Sequence, residues 1–239
     1  MKKTTNLFCL PFAGGNKYSY REFVEKAPSF LNLITLDYPG RGTRMREPLP
    51  IDIDALAHDL YTQVSPLIGQ ENYAIYGHSL GGLMAYLLTR KLLENGHHAP
   101  SHVFITGTTG PSAMSRSEKK RHLLNKEDFI NEVRALDGMP EEILNNEELL
   151  YYFEPILRSD FKISENYIYQ EKSPLNIPIT VITGTEEDME MEDIQLWQKE
   201  TSHIVDFKRL PGKHFFIFQH AFKIVEIISR KLYLHKTHI

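Results

Sequence analysis

The chain has 239 residues, 41% of them apolar and 24% charged, which is enough for one α/β domain with a sizeable core. A net charge of −4 leaves no electrostatic footprint for nucleic acid, and a lone cysteine, Cys9, excludes a disulfide within the chain and suits a reducing cytoplasm. The apolar run after Met1-Lys2-Lys3-Thr4-Thr5-Asn6 is too short for a signal-peptide core, and no stretch approaches the roughly 18 apolar residues of a membrane span. A soluble, cytoplasmic protein without a membrane or nucleic-acid partner is expected.

In chain order, residues 7–10 form an apolar run that predicts a buried strand, with Cys9 inside it as a small hydrophobe. The small-residue loop Pro11-Phe12-Ala13-Gly14-Gly15-Asn16 follows, then a short helix over about 20–27. Residues 31–36 predict a second strand. It leads into Asp37-Tyr38-Pro39-Gly40-Arg41-Gly42-Thr43-Arg44, a loop stiffened by proline and glycine. Its two arginines suit surface ion pairs better than an anionic partner. Ile53, Leu56, Leu60 and Val64 recur at helical spacing, with Asp52 or Asp54 available as the cap and His58 at the boundary.

The most informative stretch is Tyr73-Ala74-Ile75-Tyr76-Gly77-His78-Ser79-Leu80-Gly81-Gly82. An apolar strand runs into Gly-x-Ser-x-Gly, and an apolar-striped helix follows from Leu83 to Leu93, closed by Gly96. Glycines on both sides of a serine suit a sharp strand-to-helix turn that leaves no room for side chains, the nucleophile elbow of α/β-hydrolases. Ser79 would stand exposed at its tip, above free N–H groups and the positive end of the helix. Serving only as an N-cap would not require both glycines. In this arrangement Leu80 N–H and an N–H from the loop after the first strand, Ala13, form the oxyanion hole. Each fixed donor contributes on the order of 3 kcal/mol in the transition state.

Residues 102–107 predict another strand, and strands alternating with helices indicate a mostly parallel sheet covered by helices on both faces. The alternation breaks over about 111–174, which shows helix starts at Asn125 and Pro140 and many bulky apolar residues but no clear strand. This stretch is expected to be a helical lid insertion within a single domain spanning 1–239, its underside shaping an acyl pocket as well as its own core. Strands over 179–184 and 204–210 follow, the first ending in the acidic turn Thr185-Glu186-Glu187-Asp188-Met189-Glu190. The second ends in Pro211-Gly212-Lys213-His214-Phe215-Phe216, before a closing helix.

Serine elbow, acid after a late strand, and histidine after the last strand come in the Ser…Asp/Glu…His order of α/β-hydrolases. His214, in a Pro-Gly loop at a strand end, is the candidate general base. His97, His98, His235 and His238 sit in polar or terminal stretches, and His220 lies in the final helix. For the acid, Asp188 is favoured for its shorter, more easily fixed side chain, with Glu187 the alternative; Glu186 and Glu190 are expected to be solvated. A carboxylate there would hold the imidazole tautomer and stabilise its cation. No metal is expected.

Five segments together resemble the type II thioesterases that serve non-ribosomal peptide and polyketide synthases. They are Phe8-Cys9-Leu10-Pro11-Phe12-Ala13-Gly14-Gly15, Pro39-Gly40-Arg41-Gly42, Gly77-His78-Ser79-Leu80-Gly81-Gly82, Leu157-Arg158-Ser159-Asp160-Phe161 and Pro211-Gly212-Lys213-His214-Phe215. The resemblance implies hydrolysis of acyl thioesters from the phosphopantetheine arm of acyl- or peptidyl-carrier proteins, through an acyl-serine on Ser79. It implies no cofactor, since phosphopantetheine arrives with the substrate. The family often carries its acid at the third position after the strand-ending glycine, where this chain has Glu187. The competing readings are a serine esterase or lipase for small oxygen esters, and a catalytically silent hydrolase fold used for binding. No dimer element is visible, and a monomer is expected.

Overall fold

The computed structural model describes residues 4–236; Met1 to Lys3 and His238 lie outside them, as does the His235 side chain. Among the described residues six strands alternate with helices. They are β1 (Thr5–Leu10), β2 (Leu31–Thr35), β3 (Tyr73–His78), β4 (His102–Thr106), β5 (Ile179–Gly184) and β6 (Asp206–Leu210). The helices are α1 (Arg21–Lys26), α2 (Ile53–Val64), α3 (Leu80–Glu94), α4 (Lys126–Leu136), α5 (Glu141–Leu144), α6 (Glu147–Glu165), α7 (Met191–Gln195), α8 (Phe216–Gln219) and α9 (Ala221–Lys236). All the strand pairings are parallel, in the order β2-β1-β3-β4-β5-β6.

The period-2 alternation of a strand divides β1 between two cores. Phe8 and Leu10 join Ile75, Ile105 and Val181 against Leu56 and Leu60 of α2 and Met84 and Leu88 of α3. Leu7 and Cys9 join Tyr76, Phe104 and Ile182 on the opposite face, against Phe23 of α1 and Ile224 and Ile228 of α9. A strand buried on both faces has no polar side, which is why β1, β3, β4 and β5 read as continuous apolar runs. Burial also pushes the Cys9 thiol well above its ordinary pKa, so it is chemically quiet. The edge strand β6 alternates half-buried with exposed residues and carries Lys208 and Arg209, which suits an unpaired edge.

The strand order reverses between β1 and β3, and ligands of open α/β sheets bind beyond the carboxyl ends of the strands at such a switch point. The loop after β1 and the turn after β3 therefore open into the same crevice. Over that end lie α4, α5 and α6. They share a third, smaller core of Phe129, Val133, Leu144, Leu150, Leu157 and Phe161. Tyr151 points outward, 85% exposed, so the apolar residues of this insertion do not all face one way.

Among the boundaries that differ from the sequence reading, two have a visible physical cause. The last strand starts at Asp206, because Ile204 is 93% exposed and packs on nothing in the sheet. The closing helix breaks at His220, whose Nε2 bonds Pro211 O at 2.9 Å, giving α8 and α9. Arg44 pairs with Glu47 and Asp59 near the surface as expected. Arg41 corrects the expectation of a surface pair: it is 2% exposed and bound to Asp160 of α6, an acid too distant in sequence to be foreseen.

Of the two candidate caps for α2, Asp52 performs the role, its carboxylate accepting Ala55 N–H at 2.8 Å. Asp52→Ala is expected to lower unfolding free energy by about 1 kcal/mol, and Asp54→Ala by less, as read by urea denaturation. Equal effects would contradict the capping assignment.

Candidate active site

Ser79 occupies the turn between β3 and α3 with φ 55° and ψ −119°, a left-handed backbone that a non-glycine residue adopts only when its surroundings impose it. Its N–H donates to Thr106 O at 2.8 Å, and its hydroxyl makes no capping bond to α3. The flanking glycines are required by contact. A Cβ on Gly77 would lie 2.0 Å from Gly81 O, and one on Gly81 would lie 2.3 Å from Leu10 O and 2.7 Å from Pro11 O. The helix start is thus pressed directly onto the end of β1, which brings Leu80 N–H and the Ala13 loop to the same place. Leu80 opens α3, so its N–H has no acceptor within the helix.

His214 lies after β6, half-buried, and Glu187 stands behind it. Glu187 Oε1 is 2.7 Å from His214 Nδ1, and Oε2 accepts the Gly184 N–H at 2.6 Å. With its side chain 2% exposed, this carboxylate is held at both oxygens in a dry setting, where a charge-assisted hydrogen bond is strong. The preference for Asp188 is corrected. Asp188 points away from the histidine, its side chain 90% exposed on Lys119 Nζ at 2.9 Å. The turn folds back over Gly184, where a Cβ would meet Gly212 O at 2.4 Å and Glu187 Cγ at 3.1 Å. The returning side chain must span that glycine, so the longer glutamate is suited and a short aspartate one position later is not. Glu186 and Glu190 are exposed, as expected.

Ser79 and His214 line one cavity of about 80 Å³. Its other walls are Phe12, Ala13 and Gly14 from the loop after β1, Phe215, and Val133, Leu136, Gly138, Met139, Leu157 and Phe161 from the helical insertion. The insertion therefore contributes both to its own core and to the cavity wall. A larger cleft of about 570 Å³ runs between α2, α3 and the carboxyl end of α6, but it contains neither Ser79 nor His214, and its walls carry charges of both signs. Chemistry, rather than size, selects the smaller cavity. Among the described residues no group of three or more His, Cys, Asp or Glu side chains is placed to hold a metal ion.

One close neighbour of His214 escaped the sequence reading. His78 is fully buried, with its ring centroid 4.8 Å from that of His214 and Nδ1 3.0 Å from Thr106 Oγ1. Burial first, and then the nearness of His214, hold its pKa well below 6.5. A neutral ring beneath His214 supports it without opposing the positive charge it would acquire as a base. Position 78 was visible inside the elbow motif, but only the packing reveals the contact.

The thioesterase-domain family model matches residues 5–232. The gramicidin S biosynthesis protein GrsT of Aneurinibacillus migulanus is 29% identical over 229 residues, covering 95% of this chain and 89% of that protein. ClbQ of the colibactin NRPS/PKS pathway superposes with a TM-score of 0.93 at 30% identity, covering 99% of this chain and 100% of that one. BorB, a type II thioesterase from the borrelidin biosynthetic cluster, superposes with a TM-score of 0.87 at 29% identity, covering 97% of this chain and 94% of its own.

The geometry makes Glu187→Gln the damaging change of the acidic turn. It is expected to lower kcat on a thioester by about 10³–10⁴-fold, while Asp188→Asn stays within about twofold. The reverse ranking in steady-state kinetics would contradict the geometry. For His78, the unfolded chain takes up a proton near pH 6.5 that the folded chain refuses, so stability must fall as pH drops through that value. Denaturant titrations should show the wild-type slope exceeding that of His78→Gln by about 1.4 kcal/mol per pH unit below pH 6. Parallel curves would refute a neutral buried His78.

Proposed function

The chain belongs to the thioesterase-domain family, and from that premise we propose that it is a stand-alone type II thioesterase that clears acyl groups from the phosphopantetheine arm of carrier proteins in non-ribosomal peptide or polyketide synthesis. The observation that carries the reading is a cavity shared by Ser79 and His214, with Glu187 bonded behind the histidine. Relatives from such pathways that cover nearly the whole chain support the carrier-bound substrate.

The chemistry is two-step acyl transfer. Ser79 Oγ attacks the thioester carbonyl while His214 takes its proton, and Glu187 stabilises the imidazolium. Negative charge gathers on the carbonyl oxygen, where Ala13 N–H and Leu80 N–H receive it. The tetrahedral species collapses, the C–S bond breaks, and the phosphopantetheine thiol leaves with the proton from His214. Water, deprotonated by His214, then attacks the acyl-serine; the C–Oγ bond breaks, Ser79 Oγ takes the proton back from His214, and the acyl group leaves as the free acid. The apolar insertion covers the acyl group and keeps the reaction in a low-dielectric setting, which strengthens each of these interactions. No metal or cofactor takes part in this scheme. Among the described residues no helix is long and apolar enough to cross a membrane.

Intact-mass analysis of an acetylated phosphopantetheinyl carrier protein tests the reading. Wild type should remove the acetyl group, and Ser79→Ala should be slower by about 10⁴-fold or more. Wild type that leaves the carrier acetylated yet cleaves a small oxygen ester of the same acyl group would replace this reading with a general esterase.

A further inference from the structure

In two of the five segments singled out in the sequence, Pro39-Gly40-Arg41-Gly42 and Leu157-Arg158-Ser159-Asp160-Phe161, a charged residue, Arg41 or Asp160, carries no role in the scheme above. The structure joins them. Arg41 and Asp160 form a two-pronged ion pair, Arg41 Nη2 donating to Oδ1 at 2.7 Å and Nη1 to Oδ2, with side chains 2% and 0% exposed. Two charges fully out of water are expensive to keep for stability alone, since apolar replacements of similar size often serve as well. This pair also has a third member. Asp160 Oδ2 accepts the backbone N–H of Gly14 at 2.7 Å.

Gly14 belongs to the turn that carries Ala13. Gly15 N–H donates to Phe12 O at 2.9 Å, so residues 12–15 close a four-residue turn. Gly14 is its third residue, at φ 76°, the positive value that a type II turn demands there. A Cβ on Gly14 would lie 2.6 Å from Leu157 Cδ2, one turn before Asp160 on α6. Types I and II differ by a flip of the central peptide, which here is the one ending in Gly14 N–H. An acceptor fixed at that N–H selects type II and pins the tip of the turn to α6, while the flip itself leaves the preceding peptide, which carries Ala13 N–H, in place. The closing bond orients Phe12 C=O, and because a trans peptide is planar, Ala13 N–H must point the opposite way. Arg41 completes the support: its guanidinium carbon lies 5.3 Å from the ring centroid of Tyr38, whose hydroxyl donates to Pro11 O at 2.7 Å. The turn is held from α6 on one side and from the loop after β2 on the other.

We propose that Asp160, fixed by Arg41, is a positioning residue that holds the turn at residues 12–15 so that Ala13 N–H is aimed as an oxyanion donor, making helix α6 a working part of the oxyanion hole as well as a wall of the cavity. The proposal rests on the thioesterase reading for the role of Ala13. Removing an oxyanion donor lowers kcat by about 10²–10³-fold, so a donor left in place but loosely aimed should cost at least about tenfold.

Two paired variants separate positioning from bulk stability. Asp160→Leu with Arg41→Met removes the acceptor and both charges, so no unpaired charge remains buried. Asp160→Asn with Arg41→Gln removes the charges and keeps an oxygen for Gly14. The first should lose at least about tenfold in kcat on the acetylated carrier, with KM within about twofold and propylboronic acid bound more weakly by a similar factor, because the boronate adduct mimics the transition state. The second should recover to within about threefold of wild type. Folded Leu/Met protein with wild-type kcat and boronate affinity overturns the proposal, as does a rise in KM alone or an Asn/Gln pair as impaired as Leu/Met. Should Leu/Met not fold, amide exchange of wild type decides: the Gly14 N–H should be as protected as strand amides, and exchange at the rate of open loops overturns the idea. Wild type that binds the boronate without hydrolysing the carrier thioester defeats the thioesterase reading instead, and the boronate comparison still decides the role of Asp160.

Discussion

The contact on which the site depends is between backbones: Gly81 at the start of α3 lies against the carbonyls of Leu10 and Pro11 at the end of β1, closer than any side chain would permit. That approach forces the left-handed geometry on Ser79, because the chain must leave β3 and enter α3 within one residue. It also brings the first N–H groups of α3 beside the loop that follows β1. The proposed nucleophile and oxyanion donors are thus consequences of one packing event at the switch point of the sheet. The strain at Ser79 is held by the rigid elements on either side, which is how a strained residue persists in a folded protein.

Two buried carboxylates then orient the groups that surround this contact. Glu187 is held by Gly184 N–H and faces His214. Asp160 is held by Arg41 and faces Gly14 N–H. Each sits where water does not compete, so each bond is strong, and each would be costly to leave without its partner. One carboxylate orients the proposed base, and the other is proposed to orient a donor. His78 adds a neutral ring under His214, so the charge His214 would acquire as the proposed base does not face a second cation at that ring.

Much of this was legible in the sequence because it rests on local pattern. Continuous apolar runs mark strands covered on both faces, glycines on both sides of Ser79 mark the elbow, and the order of serine, acid and histidine follows from strand order. What was not legible depends on where a turn sends its side chains. Side-chain length alone favoured Asp188, but the chain folds back over Gly184 and needs the reach of Glu187, leaving Asp188 on Lys119 at the surface. Arg41 and Asp160 stand 119 residues apart, and no periodicity links an arginine in a glycine loop to an acid in the middle of a helix. The break at His220 likewise arises from a bond to Pro211 O that no helical pattern discloses.

In the proposed reaction the strained turn presents Ser79 to a thioester carbonyl. The most direct test is an acid-quenched single turnover of acetylated carrier protein, with the acetyl group located by peptide mapping and the freed phosphopantetheine thiol titrated in the same samples. A transient acetyl group is expected on Ser79, appearing in step with the released thiol and decaying as free acetate forms. Acetate released with no acyl group ever found on Ser79, or an acyl group found on another residue, would contradict it.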